Sequence, residues 1–450
     1  MKRGVFAMGK YSKEDIIRLV REKNVQFIRM QFTDIFGQLK NVAVPASQVE
    51  KAVDGQIMFD GSSIEGYTRI EESDQYLRPD LDTFAVLPWN QEYGICARLI
   101  CDVYNPDGAP FAGDPRGILR KVLQDAAEMG YSFNVGPECE FFLFKTDSEG
   151  KPTTKTNDEV SYFDQGPLDT GEFTRRKICL ALQEIGFEIE ASHHECAAGQ
   201  HEIDFKYADA LRAADNIMTF KLGVKTMAQK DNLHATFMPK PVFGAAGNGM
   251  HINMSLFKDG QNAFYDEKDA RRLSKVAYQF IAGILAHIDA ICAVTNPLVN
   301  SYKRLVPGYE APCYTSWSTG NRSALIRVPA PRGKSTRVEL RSPDPSCNPY
   351  LALAVCLAAG LDGIRRGMMP PEEVNENIYE LSERARRMKK IGLLPTSLHE
   401  ALEALRSDKL ICSVLGEHAL TQYLAGKEAE WKAYCTRVSS WEIEHYITLY

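Results

Sequence analysis

Acidic residues occupy segments of the chain that otherwise have the pattern of buried β-strands. Glu138 and Glu140 run directly into the apolar stretch 141–144, and Glu195 and Glu202 lie on either side of a glycine beside another strand-like segment. Ionised carboxylates are rarely buried in a protein core unless they are paired or bind a metal. The sequence therefore predicts a fold that carries a charged site on a β-sheet.

A further strand-like segment and a histidine extend this pattern. The two-residue repeat of a β-strand places Arg337, Glu339 and Arg341 on one face. His251, in a glycine-rich segment, adds an imidazole. Carboxylates with one imidazole favour a hard divalent cation, Mg2+ or Mn2+, over zinc or an iron–sulfur cluster. A surface ladder of ion pairs is the alternative for Glu339 alone, but the whole set of residues favours a metal site.

The size and charge of the chain exclude several classes of protein. At 450 residues it is too long for one ordinary core, which predicts one large domain and a smaller one. A net charge of -6 and a pI near 5.9 argue against non-specific nucleic-acid binding, which needs a basic surface. His287 and Asp289 interrupt the most apolar stretch, 276–294, so no membrane span is predicted.

The cysteines and the first residues indicate a compartment. Eleven cysteines, an odd number with no C-x-x-C pair, predict reduced thiols rather than a disulfide framework. The segment 1–4 leads into no apolar stretch of the kind that signal peptides carry. We therefore expect a cytoplasmic enzyme.

The order of the predicted elements indicates an α+β fold with two domains. We assign 1–22 to an extension and a helix, 23–110 to a small β-grasp domain and 111–450 to a larger catalytic domain. In the larger domain the informative acids lie on strands, which predicts an antiparallel, acid-lined sheet backed by helices. Strands of the small domain are predicted at 25–32, 39–44, 83–87 and 95–103, with a helix at 45–53. Helices of the larger domain are predicted at 115–129, 174–185, 208–230, 270–294 and 349–364, with a helical tail at 382–450. Its strands are predicted at 133–144, 187–192, 201–205, 235–238, 250–257, 324–328 and 337–341.

Basic residues cluster late in the chain and suggest an anionic substrate. The cluster comprises Arg304, Arg322, Arg327, Lys334, Arg337 and Arg341. Guanidinium groups bind carboxylates and phosphates bidentately, and beside a metal site they favour phosphoryl transfer. The proline- and glycine-bounded loop 305–312 carries Glu310 and has the pattern of a lid. The residues alone predict a two-metal, ATP-dependent phosphotransferase or ligase that acts on a small anion.

Several motifs in order resemble those of the bacterial type I glutamine synthetases, over almost the whole chain from about residue 11. The matching segments are FDGSS at 59–63, KPVFGAAGNGMHINMS at 240–255, NSYKRLVPGYEAP at 300–312, NRS at 321–323 and NPYL at 348–351. No insertion like that of the adenylylated class is evident, so the chain resembles the shorter, feedback-inhibited class. In that class Arg69 would take part in feedback inhibition, and nitrogen-regulatory transcription factors are possible partners.

The resemblance implies a set of ligands for each substrate and cofactor. Two Mg2+ or Mn2+ ions per active site would be held, one by Glu140, Glu195 and Glu202 and the other by Glu138, His251 and Glu339. ATP would be bound by Glu190, Phe205, Lys206, Tyr207, Ser255, Arg322, Arg327, Lys334 and Arg337. L-Glutamate would be bound by Ala246, Gly247, Arg304, Glu310, Arg322 and Arg341.

The implied activity is ATP-dependent ligation of ammonia to the γ-carboxylate of glutamate through γ-glutamyl phosphate. Asp60, Glu310 and Arg322 would be catalytic, with Asp60 taking a proton from ammonium because ammonium itself is not a nucleophile. Asp60 would reach the site from a neighbouring subunit of a dodecamer built from two hexameric rings.

Three other functions remain as alternatives. A γ-glutamyl ligase for amines or polyamines would share the metal and ATP residues, but Asp60 and Glu310 favour ammonia. A plain phosphotransferase would not need the Asp60 loop. A non-catalytic relative would be expected to have lost metal-binding acids, and none is missing here.

Overall fold

The computed structural model describes residues 10–66, 74–89, 91–389 and 391–450. The first part of the chain forms a five-stranded sheet in the order β2-β1-β5-β4-β3. Its strands are β1 (Phe27–Thr33), β2 (Leu39–Pro45), β3 (Ile57–Asp60), β4 (Asp74–Val86) and β5 (Cys96–Tyr104), and its helices are α1 (Lys13–Glu22) and α2 (Val49–Val53).

The helix α1 forms where the sequence indicates a cap. Ser12 accepts a hydrogen bond from the backbone N–H of Asp15, and the Asp15 side chain accepts one from the backbone N–H of Ser12. Ile16 and Val20, one turn apart, are buried on the small domain's core. This reciprocal cap and apolar face explain why a helix of ten residues forms here.

Two strands of the small sheet differ from the sequence-based prediction. β4 is longer than the predicted segment 83–87, and its pairing with β5 shifts register between Asp80 and Ala85. Pro79 and the neighbouring acids hide the alternation that the prediction relied on. β3 was not predicted, since it is a short edge strand that alternates between exposed and half-buried residues.

The second part of the chain contains a larger sheet with helices packed against it. The strands of the larger sheet are β6 (Ser132–Thr146), β7 (Pro152–Thr156), β8 (Ile189–His194), β9 (Gln200–Phe205), β10 (Ala208–Asp209), β11 (Leu233–Thr236), β12 (Met250–Lys258), β13 (Gln261–Asn262), β15 (Trp317–Ser318), β16 (Ile326–Arg327) and β17 (Val338–Leu340). The strands β14 (Tyr314–Thr315) and β18 (Gly392–Leu393) pair with each other as a separate two-stranded sheet. The helices of this second part are α3 (Pro115–Glu128), α4 (Glu172–Glu184), α5 (Ala210–Lys230), α6 (Lys275–Thr295), α7 (Ser301–Arg304), α8 (Pro349–Arg365), α9 (Glu383–Met388), α10 (Leu398–Ser407), α11 (Lys409–Cys435) and α12 (Ser440–Tyr446).

The long strand β6 is the centre of the large sheet. The main path runs β15-β16-β17-β12-β6-β9-β8, and its pairings are antiparallel except between β15 and β16. The predicted fold, a β-grasp domain followed by a domain with an acid-lined sheet backed by helices, is confirmed. Each of the eleven cysteines is a free thiol, as predicted.

Several helix and strand boundaries differ from those predicted from the sequence. The helix predicted from 270 begins at Lys275, because Ser274 accepts the N–H of Ala277 and caps it. The helix predicted from 208 begins at Ala210, because residues 208–209 pair with β6 as the strand β10. The strands predicted at 324–328 and 337–341 are shorter, at Ile326–Arg327 and Val338–Leu340.

The helices α6 and α8 pack with their backbones in contact. A Cβ atom on Gly283 would lie 2.1 Å from the carbonyl oxygen of Ala359, and one on Gly363 would lie 2.1 Å from that of Gln279. Only glycine allows this approach. The helix α6 has the length and composition of a membrane span, but 67% of its apolar window is buried inside the domain.

A buried arginine at the start of α3 joins the small sheet to helix α5 of the large domain. Arg116, 2% exposed, donates to Asp102 at 2.6 Å and to Asp80 at 2.7 Å on the small sheet. It also pairs with Asp215 of α5 at 2.9 Å. Loss of any of these partners would leave buried charge uncompensated, which is costly. The contacts therefore hold the small domain against the large one.

Candidate active site

Strand register brings the predicted acids together on the large sheet. Glu138 on β6 lies opposite His251 on β12, and Glu140, two residues further along, lies opposite Glu202 on β9. His193 on β8 lies opposite Glu202 on the other side. The two-residue period of β6 places both of its acids on the same face, so one face of the sheet carries the site.

The first group consists of Glu138, His251 and Glu339, whose donor atoms all lie within 4.8 Å of one another. The Nδ1 atom of His251 is 3.2 Å from Glu138 Oε2 and 3.6 Å from Glu339 Oε1. Glu339, 1% exposed, is compensated by Arg327 at 2.8 Å and Arg341 at 2.5 Å. Burial raises the pKa of Glu138, but the His251 and Asn253 hydrogen bonds outweigh it and lower the pKa to about 2.

The second group differs from the predicted one by a histidine. The donor atoms of His193, Glu195 and Glu202 lie within 4.8 Å of one another. The carboxylate of Glu140 instead accepts from the Gly249 N–H at 2.8 Å and from Gln200 Nε2 at 3.0 Å. The sequence analysis did not assign His193 as a metal ligand, although His193 lies only two residues before Glu195.

Glu202 of this group and Glu140, its partner on β6, both lie beside other acids. Burial and the charge of Glu195 raise the pKa of Glu140 to about 7, against the opposing effect of His251. Burial, with Asp204 and Glu140, raises the pKa of Glu202 well above its usual value. A bound cation would compensate the charge of these carboxylates and so make their ionised form favourable in the folded protein.

A cavity of about 370 Å3 opens on one side of the acids. Its lining includes these predicted ATP-binding residues: Glu190, Phe205, Tyr207, Ser255, Lys334 and Arg337. Glu138 and Asp204 also line it, the latter missed by sequence reasoning. Lys206 instead pairs with Glu188 at 2.8 Å on the surface, and Arg327 binds Glu339.

A smaller pocket of about 40 Å3 lies on the other side. It is lined by these predicted glutamate- and metal-binding residues: Glu140, Glu195, Ala246, Gly247, His251, Arg304, Glu310 and Arg341. Arg304 is buried and donates to the carbonyl oxygens of Ser342 at 2.7 Å and Arg341 at 3.2 Å. A Cβ atom on Gly249 would lie 2.6 Å from its Nη2 atom, so the glycine leaves room for the guanidinium.

The remaining predicted residues lie outside both cavities or outside the described residues. Asp60 is exposed, and its side chain accepts from the Ser62 N–H at 2.8 Å; these Ser62 hydrogen bonds lower its pKa. Arg322 is exposed, and its guanidinium interacts with the Tyr162 hydroxyl. Arg69 lies outside the described residues.

A buried clasp behind the acids was not predicted. One oxygen of Asp158 accepts from the Gly199 N–H at 2.9 Å and lies 3.0 Å from His194 Nε2. The other ring nitrogen of His194 lies 2.7 Å from the carbonyl oxygen of Glu195. Asp158 therefore ties together the two ends of the turn between Glu195 and Glu202. Strand alternation could have indicated this, since adjacent residues point to opposite faces and His194 must therefore face away from Glu195 and the metal site.

Comparison with known proteins gives consistent matches over the whole chain. Two family models match, the glutamine synthetase beta-grasp domain over residues 24–106 and the glutamine synthetase catalytic domain over residues 112–446. A glutamine synthetase of Clostridium saccharobutylicum is 62% identical over 443 residues, 98% of this chain and 100% of that protein. One of Staphylococcus aureus is 57% identical over 441 residues, 98% of this chain and 99% of that protein.

Solved structures show the same architecture. A GmaS/ADP complex aligns with a TM-score of 0.88 at 33% identity, covering 96% of this chain and 99% of that one. The Plasmodium falciparum glutamine synthetase aligns with a TM-score of 0.86 at 26% identity, covering 98% of this chain and 99% of that one.

Proposed function

The chain belongs to the glutamine synthetase family, and from this premise we propose how its residues divide the work of the reaction. The activity is ATP-dependent synthesis of glutamine from glutamate and ammonia, with the use of a divalent metal. The assignment of residues to the ATP and glutamate sites rests on one observation. The acidic cluster lies between two cavities, with Glu138 lining the larger one and Glu140 and Glu195 lining the smaller one.

The chemistry of the acidic cluster fits divalent cations. Its donors are carboxylate oxygens and imidazole nitrogens, and Glu140 and Glu202, whose pKa values are raised, would be stabilised as anions by a bound cation. We assign two Mg2+ or Mn2+ ions, one to Glu140, Glu195 and Glu202 and the other to Glu138, His251 and Glu339. His193 stands close enough to the first set to add a ligand. When bound, the ions neutralise charge on the phosphates of ATP.

The larger cavity is proposed as the ATP site. Phe205 and Tyr207 offer an aromatic wall, and Lys334 and Arg337 offer positive charge to phosphates. The remaining assigned contacts are Glu190, Lys206, Ser255, Arg322 and Arg327. The opening of this cavity toward Glu138 supports placing the γ-phosphate at the acidic cluster.

The smaller pocket is proposed as the glutamate site. Arg304 and Arg341 supply the cationic groups that a dicarboxylate requires, and the backbone at Ala246 and Gly247 completes the wall. Glu310 closes the pocket on the loop side, and Arg322 is assigned to reach it from the rim. A pocket of about 40 Å3 in this state implies that it widens to admit glutamate.

The reaction proceeds in two substitutions. An oxygen of the glutamate γ-carboxylate attacks the γ-phosphorus of ATP, the bond to the bridging oxygen of ADP breaks, and γ-glutamyl phosphate forms. Ammonia then attacks the acyl carbon, and phosphate leaves with the shared oxygen. Asp60 holds ammonium and removes its proton, while Glu310 excludes water and Arg322 offsets negative charge.

Exposed residues support an assembly of several subunits. We propose a dodecamer of two hexameric rings in which Asp60 serves a neighbouring subunit's site. Its exposed position on the small domain, outside both cavities, supports this arrangement. Apolar residues that a neighbour would cover are exposed at the end of the chain, namely Val438, Trp441, Ile443, Tyr446, Ile447, Leu449 and Tyr450.

Regulation and location follow from the class of enzyme that the chain resembles. We propose feedback inhibition involving Arg69, a cytoplasmic location, and nitrogen-regulatory transcription factors as partners, without direct binding of nucleic acid or membrane. We also propose the boundaries 1–22, 23–110 and 111–450 for the extension with its helix, the β-grasp domain and the catalytic domain.

A nucleophile panel tests the assignment of Asp60. ATP-dependent phosphate release with glutamate is measured with ammonium and with a series of amines, for wild type and Asp60→Ala. The control is Asp107→Ala, which removes another exposed aspartate that accepts a backbone N–H in a turn. Turnover on ammonium that is largely lost only in Asp60→Ala supports the proposal. Turnover restricted to amines would make the chain a γ-glutamylamide ligase, and wild-type ammonia turnover in Asp60→Ala would remove Asp60 from the mechanism.

A further inference from the structure

The loop 305–312 forms one wall of the glutamate pocket. Tyr309, Glu310 and Ala311 line the pocket, opposite Glu140 and Gly247. Glu310 has a backbone φ of +61°, in the left-handed region that residues other than glycine rarely adopt. Such a conformation persists only when the surrounding contacts determine it.

Each of these loop residues is contacted by a different segment of the chain. The Nζ atom of Lys240 lies 3.7 Å from the centre of the Tyr309 ring, and it also donates to the carbonyl oxygen of Ala245. The Sγ atom of Cys196 lies 3.9 Å from Glu310 Oε2. The Tyr379 hydroxyl donates to the carbonyl oxygen of Ala311 at 2.6 Å, directly after the strained residue.

Of the three contacts made to the loop residues themselves, that of Tyr379 is the shortest, and its side chain is held in place by its surroundings. Tyr379 lies in a short 3-10 helix, Ile378–Glu380. The Oδ1 atom of Asn377 caps this helix by accepting the backbone N–H of Tyr379 at 3.2 Å. Its ring packs on a small apolar cluster, with its centroid 6.1 Å from that of Tyr314. Burial raises the pKa of the Tyr379 hydroxyl to about 12, so it remains a hydrogen-bond donor at neutral pH.

We propose that Tyr379 is a positioning residue for the lid acid: its hydroxyl fixes the carbonyl of Ala311 and thereby holds Glu310 over the glutamate pocket. The inference rests on the proposed function, because it needs an acyl phosphate in that pocket. Tyr379 itself does not line the pocket, so its effect on the reaction passes through the loop.

The chemical consequence concerns competition between ammonia and water. If water reaches γ-glutamyl phosphate, it attacks the acyl carbon, the bond to the phosphate oxygen breaks, and glutamate and phosphate are released. ATP is then consumed without formation of glutamine. A loop held by Tyr379 excludes this water, so loss of the hydroxyl uncouples ATP consumption from glutamine synthesis.

The test compares Tyr379→Phe with Tyr423→Phe. The control removes a hydroxyl that donates to the carbonyl oxygen of Ala293 at 2.7 Å, far along the chain on α11 and outside the pocket. Phosphate and glutamine are measured in the same reaction, with and without ammonium. Hydrogen–deuterium exchange is followed at the amides of 305–312 in each protein.

The inference expects Tyr379→Phe alone to show faster exchange in the loop and excess phosphate over glutamine. Phosphate release without ammonium should rise about fivefold, the scale of one net hydrogen bond. Wild-type coupling in Tyr379→Phe, with or without faster exchange in the loop, would overturn the inference. If the wild-type protein makes no glutamine, the proposed function itself is wrong, and the inference is wrong with it. The wild-type reaction alone shows this, so the two failures can be told apart.

Discussion

At the scale of single residues, the acids on the large sheet differ in what compensates their charge. Glu339 is paired with two arginines and Glu138 with a histidine, so the charge of each carboxylate has a partner within the chain. Glu202 is buried and Glu140 half-buried, and both lie beside other acids. We infer that the second pair disfavours the metal-free fold and gains most from a bound cation.

Removal of the Glu140 charge should stabilise the metal-free protein and weaken its stabilisation by metal. Glu140→Gln keeps the shape of the side chain and its acceptor for the Gly249 N–H. In a chelator its Tm should equal or exceed that of wild type. A metal concentration about 100 times Kd should stabilise wild type by about 2.7 kcal/mol, and the variant by much less.

Thermal unfolding with and without Mg2+ or Mn2+ measures this effect. Glu372→Gln, a change at an exposed acid, is the control and should respond to metal as wild type does. An undiminished metal response in Glu140→Gln would show that Glu140 does not belong to the metal site.

At the scale of elements, the turn between β8 and β9 positions two acids through the clasp at Asp158. Asp158→Asn keeps the volume of the side chain but weakens its bonds to His194 and Gly199. Residues that orient metal ligands typically contribute 10- to 100-fold to affinity, so we expect a loss of about this size in Mn2+ affinity.

Calorimetric titration with Mn2+ tests the clasp independently of activity. Asp164→Asn is the matched control, because Asp164 lies in the same loop, is exposed, and accepts the Ser161 N–H at 2.8 Å. Equal Mn2+ affinity in Asp158→Asn and wild type would mean that the clasp does not orient the acids.

The start of α3 should make stability depend on pH. Burial, and then the charge of Asp102, raise the pKa of Asp114 from its usual 3.8 to about 7. The folded chain therefore holds this proton over a pH range in which the unfolded chain has lost it. The contribution of Asp114 to stability falls as pH rises from about 4 to about 7.

Asp114→Asn keeps the cap of α3, since asparagine also accepts the Arg116 N–H. Between pH 5 and pH 8, the free energy of unfolding of the variant should rise relative to that of wild type by on the order of 1 kcal/mol or more. Tm measured at both pH values gives the difference, with Asp209→Asn, at the exposed cap of α5, as the control. A difference from wild type that stays constant with pH would contradict the raised pKa.

The sequence identified the acids of the site but not how they pair. The carboxylates are visible because they interrupt strand-like segments, as at Glu138 and Glu140. Their partners depend on register between distant strands, and β8 shifts by a residue between Ile189 and Ala191 before it places His193 opposite Glu202. No local pattern encodes such a shift, which explains why His193 was not assigned to the metal site from the sequence.

At the scale of the whole molecule, Asp60 and the acidic cluster lie on different sheets of the chain. The small sheet carries Asp60 at the end of β3, whereas the acidic cluster lies on the large sheet. The predicted β-grasp and catalytic domains are both present, because each has its own apolar core. The relation between subunits could not be read from residue patterns, since it depends on surfaces that meet only in the assembly.

Mixed assemblies should recover activity if the site is shared. Asp60→Ala and Glu140→Gln subunits are each expected to be inactive alone. In a mixed ring, some interfaces join an intact Asp60 to an intact Glu140, so about a quarter of the sites should work at equal proportions. Activity of hybrids that stays at the level of the parents would place Asp60 in its own chain's site or outside catalysis.

Transfer of oxygen-18 from glutamate to phosphate shows whether glutamine forms through an acyl phosphate. Glutamate labelled in both γ-carboxylate oxygens is incubated with ATP, ammonium and the protein, and the released phosphate is analysed by mass spectrometry. The account predicts one labelled oxygen in each phosphate and one in each glutamine. Glutamine formed together with unlabelled phosphate would contradict it, because the γ-carboxylate would not have attacked ATP.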